Sequence, residues 1–335
     1  MTSVPGRAAA GLLALAVAAC QGSSGPASGP AAGSAPSSRE VEEARALLEK
    51  GDPDAALARL EGAGDDPDAL YLQGRAWAKK AESAPLPTPP PPPSPLPKGA
   101  LPPAAPEFKP EERKAVELLE RAVAARPGLA PAHLALAQVL APHAIRFQDR
   151  EREAKARQQQ APTRRRPAAP SPPPLPTPEP GIDYSSERVV REYGLAIRGD
   201  ASRAPVDAMI AFAVKAGRLD DAEVGYQELV RRIKESGEPL ALYGDFLAQE
   251  KKDQAAAVEQ YKQALIWRPD DEVTRNKLAA IFLSRGVDFF AREQYSRADT
   301  EFKEAAKYVT DRNSEQGRLL ELHQAKLRAI RGSSR

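Results

Sequence analysis

A fixed spacing of small and large apolar residues recurs along this chain and constrains its fold more than any other feature. The stretch AVELLERAVAARP (115–127) matches AVEQYKQALIWRP (257–269) at a small residue, a large residue, a second small residue and a closing proline. The same order starts at Ala222 and at Ala298. Steps of three and four residues are typical of amphipathic helices, and a two-residue period typical of strands is absent from the sequence. The pattern therefore predicts an all-helical, repetitive fold.

This spacing resembles the second helix of the tetratricopeptide repeat (TPR), whose consensus places W-x₂-L-G-x₂-Y before A-x₃-F and a proline. First-helix positions are present too, in LYLQGRAW (70–77), HLALAQVL (133–140) and FLSRGVDFF (282–290). The resemblance implies an all-α TPR α-solenoid, in which helix hairpins stack into a right-handed superhelix. Small residues are expected where the two helices of a hairpin touch.

About six repeats can be counted in this register. A terminal helix at 314–330 is expected to cover the open end of the stack, because the end of a solenoid needs a more polar outer face. The repeats are predicted at 39–67, at 68–82 with 107–127, at 130–158 with 184–200, at 203–236, at 237–270 and at 279–311. The helical parts of the chain are thus 39–82, 107–158 and 184–331.

Two proline-rich insertions, at 83–106 and 159–183, interrupt the second and third repeats. Such composition favours extended polyproline II and cannot form a core. In the repeat register both insertions fall at the turn between two helices, a surface position that tolerates added length. Their P-x-x-P spellings are typical of ligands for aromatic-lined grooves. The alternative is that they are loops on which nothing imposes a constraint.

The N-terminus reads as an export signal that ends at the only cysteine of the chain. Arg7 precedes an apolar run of about a dozen residues, which is shorter than the roughly 20 needed to cross a bilayer. Cys20 follows Val-Ala-Ala directly, and this arrangement resembles the lipobox of bacterial lipoproteins. The resemblance implies a signal peptide at 1–19, acylation of Cys20 and a flexible membrane tether at 20–38. A stray cysteine in a leader is the alternative.

The tether begins with Gln21 after the lipidated position, where inner-membrane retention in enteric-type bacteria uses Asp. We therefore expect an outer-membrane anchor facing the periplasm. The formal charge of +2 falls to +1 without residues 1–19, which hold Arg7 and no acid. A nearly neutral chain argues against a general nucleic-acid binder.

The sequence holds no recognised catalytic or phosphate-binding motif. His133, His143 and His323 are scattered, and a packing role is expected for His133 in particular. We therefore expect a protein that is not an enzyme and that uses no cofactor, metal or small-molecule substrate. The acids of DDPD (65–68) and DDAE (220–223) are interpreted as helix caps.

The resemblance also implies a binding face, because first helices line the concave surface of a TPR solenoid. The set is mixed in charge and lacks the Lys/Asn constellation that clamps C-terminal carboxylates in chaperone-binding members. Two aromatic residues are expected to be its energetic anchors, Tyr71 and Phe290. The alternative is that both rings pack between repeats. The predicted partner-binding residues are Tyr71, Arg75, Lys79, Leu134, Gln138, Asp207, Lys215, Asp245, Gln249 and Phe290.

Taken together, these patterns predict a lipid-anchored scaffold that binds partner proteins in the bacterial cell envelope. Envelope lipoproteins of this architecture assist pilus assembly or outer-membrane protein assembly, and the resemblance is compatible with either role. A different hypothesis is a structural envelope protein that contacts peptidoglycan or a wall protein and uses the proline-rich segments as spacers.

Overall fold

The structure is a computed structural model that describes residues 38–85, 108–160 and 180–333. All of them belong to one compact unit, Ser34–Arg335. The predicted signal peptide, Cys20 and nearly all of the predicted tether lie outside the described residues. So do most residues of the two proline-rich insertions.

Thirteen helices make up the regular structure of the described residues, and no strand occurs among them. Their lengths range from seven residues in α2 to 31 in α5. They are α1 (Ser38–Glu49), α2 (Pro53–Arg59), α3 (Pro67–Ser83), α4 (Pro110–Ala125), α5 (Ala130–Gln160), α6 (Ser186–Gly199), α7 (Ala204–Lys215), α8 (Leu219–Arg232), α9 (Gly237–Gln249), α10 (Gln254–Trp267), α11 (Glu272–Ala291), α12 (Tyr295–Ala306) and α13 (Glu315–Ser333).

Consecutive helices pack as six hairpins. Helix α1 pairs with α2, α3 with α4, α5 with α6, α7 with α8, α9 with α10, and α11 with α12. Each hairpin also contacts the next, and α13 packs against both helices of the sixth. This arrangement confirms the prediction of an all-α TPR-type solenoid with a terminal helix.

Close contacts between small and large residues hold the two helices of a hairpin together. A Cβ added at Gly74 would lie 2.6 Å from Leu119 Cγ, and one added at Gly286 would lie 2.5 Å from Phe302 Cε1. Leu119 and Phe302 are the large residues of the repeat spacing, and both are fully buried. The spacing therefore reports the points at which paired helices approach most closely.

Aspartates start several of these helices, as the acidic clusters predicted. The Asp66 carboxylate accepts a hydrogen bond from the Ala69 amide at 2.9 Å, and Pro67 occupies the first helical position, where no amide donor is needed. Asp220 and Asp221 lie in the first turn of α8, where their charge complements the helix dipole.

Helix α11 begins earlier than predicted. It starts at Glu272, whereas the packing steps had placed the sixth repeat at 279–311. The reason is that Asp271 caps the helix by accepting from the amides of Val273 and Thr274, at 3.1 and 3.3 Å. The first two turns of α11 therefore precede the residues that follow the repeat spacing.

An aromatic cluster fixes the two points at which the described chain resumes after an insertion. Phe108 is the first described residue after the first insertion, and its ring stacks on His143 of α5 with centroids 3.6 Å apart. Tyr184, just after the second insertion, packs edge-on against Phe108 at 5.3 Å and against Phe147 at 5.9 Å. Helix α5 therefore holds the starts of both α4 and α6.

Candidate partner-binding groove

A cavity of about 470 Å³ opens between the first helices of the first three hairpins. We call it the α3–α5 groove, because most of its lining comes from those two helices. Arg75 and Lys79 of α3 and Gln138 of α5, which the sequence placed on the binding face, line it together. The complete lining is Leu48, Arg75, Ala78, Lys79, Ala81, Glu82, Lys109, Glu112, Ala135, Gln138, Val139 and Pro142.

Helical periodicity explains why these residues share a face. Arg75, Lys79 and Glu82 follow one another at steps of four and three along α3, while Leu70 and Gly74 of the same helix are buried against the neighbouring helices. On α5 the lining residues recur at the same steps, from Ala135 to Pro142. Each helix therefore presents one row of mixed polar and apolar residues to the groove and buries another row in the core.

Arg75 is the cation of the groove that carries least compensation. Its guanidinium lies 5.8 Å from the centre of the Tyr71 ring and donates a 3.2 Å hydrogen bond to the Tyr71 hydroxyl. Within the described residues it has no carboxylate partner, whereas Lys79 pairs with Glu82 at 2.7 Å. An exposed guanidinium of this kind can accept a carboxylate in a bidentate pair.

The end of the groove near α4 is closed by polar contacts. The ammonium of Lys109 donates to the carbonyl oxygens of Ala81 and Ala84, each at 2.7 Å, and thereby caps the C-terminus of α3. The Lys109 amide donates to Glu112 at 2.7 Å. Burial acts to raise the pKa of Glu112, but hydrogen bonds from His143 and from this amide lower it below its usual value. Glu112 is therefore an anion already engaged with the protein.

Pro142 removes a backbone donor on the α5 side of the groove. Proline has no amide N–H, so the carbonyl of Gln138, four residues earlier, lacks its helical donor. The Gln138 side chain is exposed, and its amide makes no hydrogen bond within the described part of the chain. The groove thus offers a cationic donor on α3 and, on α5, a side-chain amide and a carbonyl that lacks its helical donor.

The other predicted face residues lie elsewhere, and two carboxylates are engaged. Asp245 accepts a 2.7 Å hydrogen bond from the Tyr261 hydroxyl and pairs with Lys277 of the next hairpin at 2.6 Å. Asp207 pairs with Arg203 at 2.8 Å. Apart from the two aromatic residues, the rest are a half-buried leucine of α5 and two exposed polar residues at the ends of α7 and α9, namely Leu134, Lys215 and Gln249.

Both predicted aromatic anchors pack inside the fold. Tyr71 is partly buried and contacts three separate clusters of core residues. Phe290 lies 5.4 Å from the ring of Tyr295 and 5.4 Å from that of His323 in α13. This placement favours the alternative, in which the rings fill space between neighbouring helices.

Among the lining residues that were not predicted are Lys109, Val139 and Pro142. Val139 and Pro142 lie one and four positions after Gln138, so the period of α5 contained the signal. Lys109 could not be placed from sequence, because its contact with α3 depends on how the chain returns after the first insertion.

His133 is held by hydrogen-bond partners within the fold. Both ring nitrogens of buried His133 have partners, with Nδ1 2.7 Å from Glu192 and Nε2 2.8 Å from the Pro127 carbonyl. Among the described residues no group of three or more His, Cys, Asp or Glu side chains is arranged to hold a metal ion. No helix in these ranges is both long and apolar enough to cross a membrane.

Comparison with family models and with curated proteins finds no match. Among solved structures, MamA from Desulfovibrio magneticus is 14% identical and covers 70% of this chain and 96% of its own, with a TM-score of 0.37. A thermophilic TPR protein of Thermus thermophilus is 17% identical, with coverages of 73% and 98% and a TM-score of 0.36. The C-terminal part of a TPR repeat-containing protein from Cytophaga hutchinsonii is 9% identical, with coverages of 83% and 84% and a TM-score of 0.42. The fold assignment rests on the hairpin contacts described above.

Proposed function

We propose that this chain, a solenoid of TPR-type hairpins, is a lipid-anchored scaffold that holds a protein partner in the bacterial cell envelope. The observation that carries the binding half of the proposal is the α3–α5 groove, where Arg75, Lys79 and Gln138 meet in one cavity. The anchoring half rests on the sequence around Cys20, because this position lies outside the described residues.

The chemistry of the groove suits an extended segment of a partner protein. The volume lies within the roughly 300–1,000 Å³ of typical ligand sites, and half of the twelve lining residues are polar or charged. Here Ala78, Ala135 and Val139 supply apolar lining beside Arg75 and Gln138, whose carbonyl lacks its helical donor. A partner segment can therefore donate a backbone N–H to that carbonyl and place an acidic side chain on Arg75.

The groove half is tested by partner capture from detergent-solubilised envelopes. Arg75→Glu should lose most of the captured partner, because it replaces the uncompensated cation with an anion. Pro142→Ala should weaken capture less, since it only gives the Gln138 carbonyl its missing helical donor. Arg318→Glu, which makes the same charge change at an exposed position of α13, is the matched control. Equal capture by all four proteins would contradict the proposal.

The anchoring half is tested by membrane fractionation. Cys20→Ser should release the protein from membranes, because each buried acyl CH₂ contributes about 0.8 kcal/mol and several chains are lost together. Metabolic labelling with a fatty acid should mark the wild-type chain and not the variant. A variant that still sediments with membranes after a high-salt wash, with no Cys20-dependent label in the wild type, would contradict the anchor.

A further inference from the structure

Helix α13 closes the last hairpin mainly through one apolar face. Leu320, His323 and Leu327 are its buried side chains, and they recur at helical steps. Polar contacts are present at its two ends: the Gln316 amide donates to the Asn276 carbonyl at 3.2 Å, and Arg331 pairs with Asp299 at 2.9 Å. Among these three buried side chains, His323 is the ionisable one.

His323 is held between two phenylalanines with one ring nitrogen unpaired. Its ring stacks on Phe302 of α12 with centroids 5.3 Å apart and meets the edge of Phe290 of α11 at 5.4 Å. Only 9% of the residue is exposed. Its Nδ1 atom is buried and has no hydrogen-bond partner. A neutral ring tolerates this site, because Nδ1 can remain an unprotonated acceptor.

The charged groups around this contact give an imidazolium no compensation. Within the described residues, burial and then Lys326 lower the pKa of His323, and no carboxylate acts to raise it. Glu301 of α12 is a partly buried acid whose Oε2 atom is buried without a partner, and burial raises its pKa. Other charged groups near this contact act on Glu301, namely Arg285 and Glu304, or on Asp299 of α12, namely Lys303 and Arg331.

We propose that His323 makes the docking of α13 on the sixth hairpin sensitive to pH, so that mild acid releases the terminal helix. Protonation places an N–H on Nδ1, which has no acceptor, in an aromatic pocket that does not solvate charge. The undocked residue has the ordinary histidine pKa of about 6.5. The undocked state therefore binds a proton at a higher pH than the docked state, and acidification favours undocking.

Hydrogen exchange of the full chain, measured between pH 7.5 and 5 and corrected for intrinsic rates, tests this device. Below pH 6.5 the opening of α13 should increase, by up to about tenfold per pH unit, because one proton is linked to undocking. His323→Phe keeps an aromatic ring and removes the titration, so its α13 should show no such increase. Peptides around His133 are the internal control, because both nitrogens of that ring have partners.

A second variant keeps the histidine in place. Lys326→Gln removes the cation that lowers the pKa of His323, so the total increase in α13 opening should be smaller than in the wild type. Glu301→Gln should still show the acid-induced increase in α13 opening that is expected of the wild type. Unchanged α13 protection in the wild type over this range, or the same acid-induced opening in His323→Phe, would overturn the proposal.

Discussion

Gly244 shows how strictly a single position can be specified in this fold. A Cβ at Gly244 would lie 2.6 Å from Tyr261 Cε1, and the ring cannot move away because it is buried and its hydroxyl is bonded to Asp245. Gly194 also lies inside a helix, α6, but nothing approaches its Cβ position within 4 Å. Both glycines are helical, but only Gly244 lies in close contact with a side chain of the paired helix.

Alanine at these two glycines should have opposite effects on the free energy of unfolding. Gly244→Ala should destabilise by about 1–3 kcal/mol, the usual cost of overpacking. Gly194→Ala should stabilise the folded state by about 0.5–1 kcal/mol, because alanine loses less conformational freedom than glycine when the chain folds. Denaturant unfolding of both variants measures this difference. A similar change at both sites would show that the close approach at Gly244 is not a packing constraint.

Glu228 binds two arginines of its own helix, α8, and one of them, Arg232, reaches the end of α6. It accepts from Arg231 at 2.6 Å and from Arg232 at 2.7 Å, and Arg232 also donates to the carbonyls of Asp200 and Ser202, each at 2.6 Å. Hydrogen bonds from Arg231 and, against the effect of burial, from Arg232 lower the pKa of Glu228 to about 2. Glu228 thus fixes the guanidinium that caps the end of α6.

Removing this carboxylate should cost stability in a pH-dependent way. Because the folded pKa is lowered, the contribution is complete above the unfolded value of about 4.3 and is lost as the pH falls towards 2. At pH 7, Glu228→Gln should lower the free energy of unfolding by about 1–3 kcal/mol, as expected for charge-assisted hydrogen bonds. The gap between variant and wild type should narrow from pH 5 to pH 2. A gap that stays constant over this range would contradict the ionic role.

At the scale of helices, α3 and α4 pair although 86–107 lie between them outside the described residues. The ends of this segment are close together, since the Lys109 ammonium contacts the carbonyls of Ala81 and Ala84 at 2.7 Å. The hairpin is held by contacts such as Leu119 against Gly74. The pairing therefore does not depend on the length of the connection.

Replacing residues 86–107 by a short Gly/Asn turn should leave the thermal midpoint within a few degrees. Each doubling of a flexible loop costs only about 0.6 kcal/mol, so shortening it changes stability little. Circular dichroism melting of the full chain and of the shortened chain makes the comparison. Loss of cooperative unfolding in the shortened chain would show that the segment supports the fold.

The sequence predicted paired helices well because one spacing reports both the helix and its partner contact. Leu119, Tyr261 and Phe302 were identified by their position in the repeat, and each lies against a glycine of the paired helix. The start of α11 was missed because the Asp271 cap lies outside that spacing. The aromatic contact between Phe108 and Tyr184 was also missed, because the two residues are far apart in sequence and follow different insertions.

At the scale of the whole molecule, helical periodicity identifies first-helix faces but not what covers them. Arg75, Lys79 and Gln138, which it assigned to one face, line one cavity. It could not show that Lys277 of the next hairpin pairs with Asp245, or that α13 covers Phe290. Such contacts depend on the relative placement of successive hairpins, which local sequence does not encode.

If the α3–α5 groove holds a protein partner in the envelope, site-specific photocrosslinking in cells should capture the two in contact. A photoreactive residue at Gln138 should yield a discrete adduct with the partner, and the adduct should disappear when Arg75→Glu is combined with it. The same residue at Gln263, an exposed position of α10, should yield no such adduct. Equal adducts from both positions, or a Gln138 adduct that survives Arg75→Glu, would contradict the account.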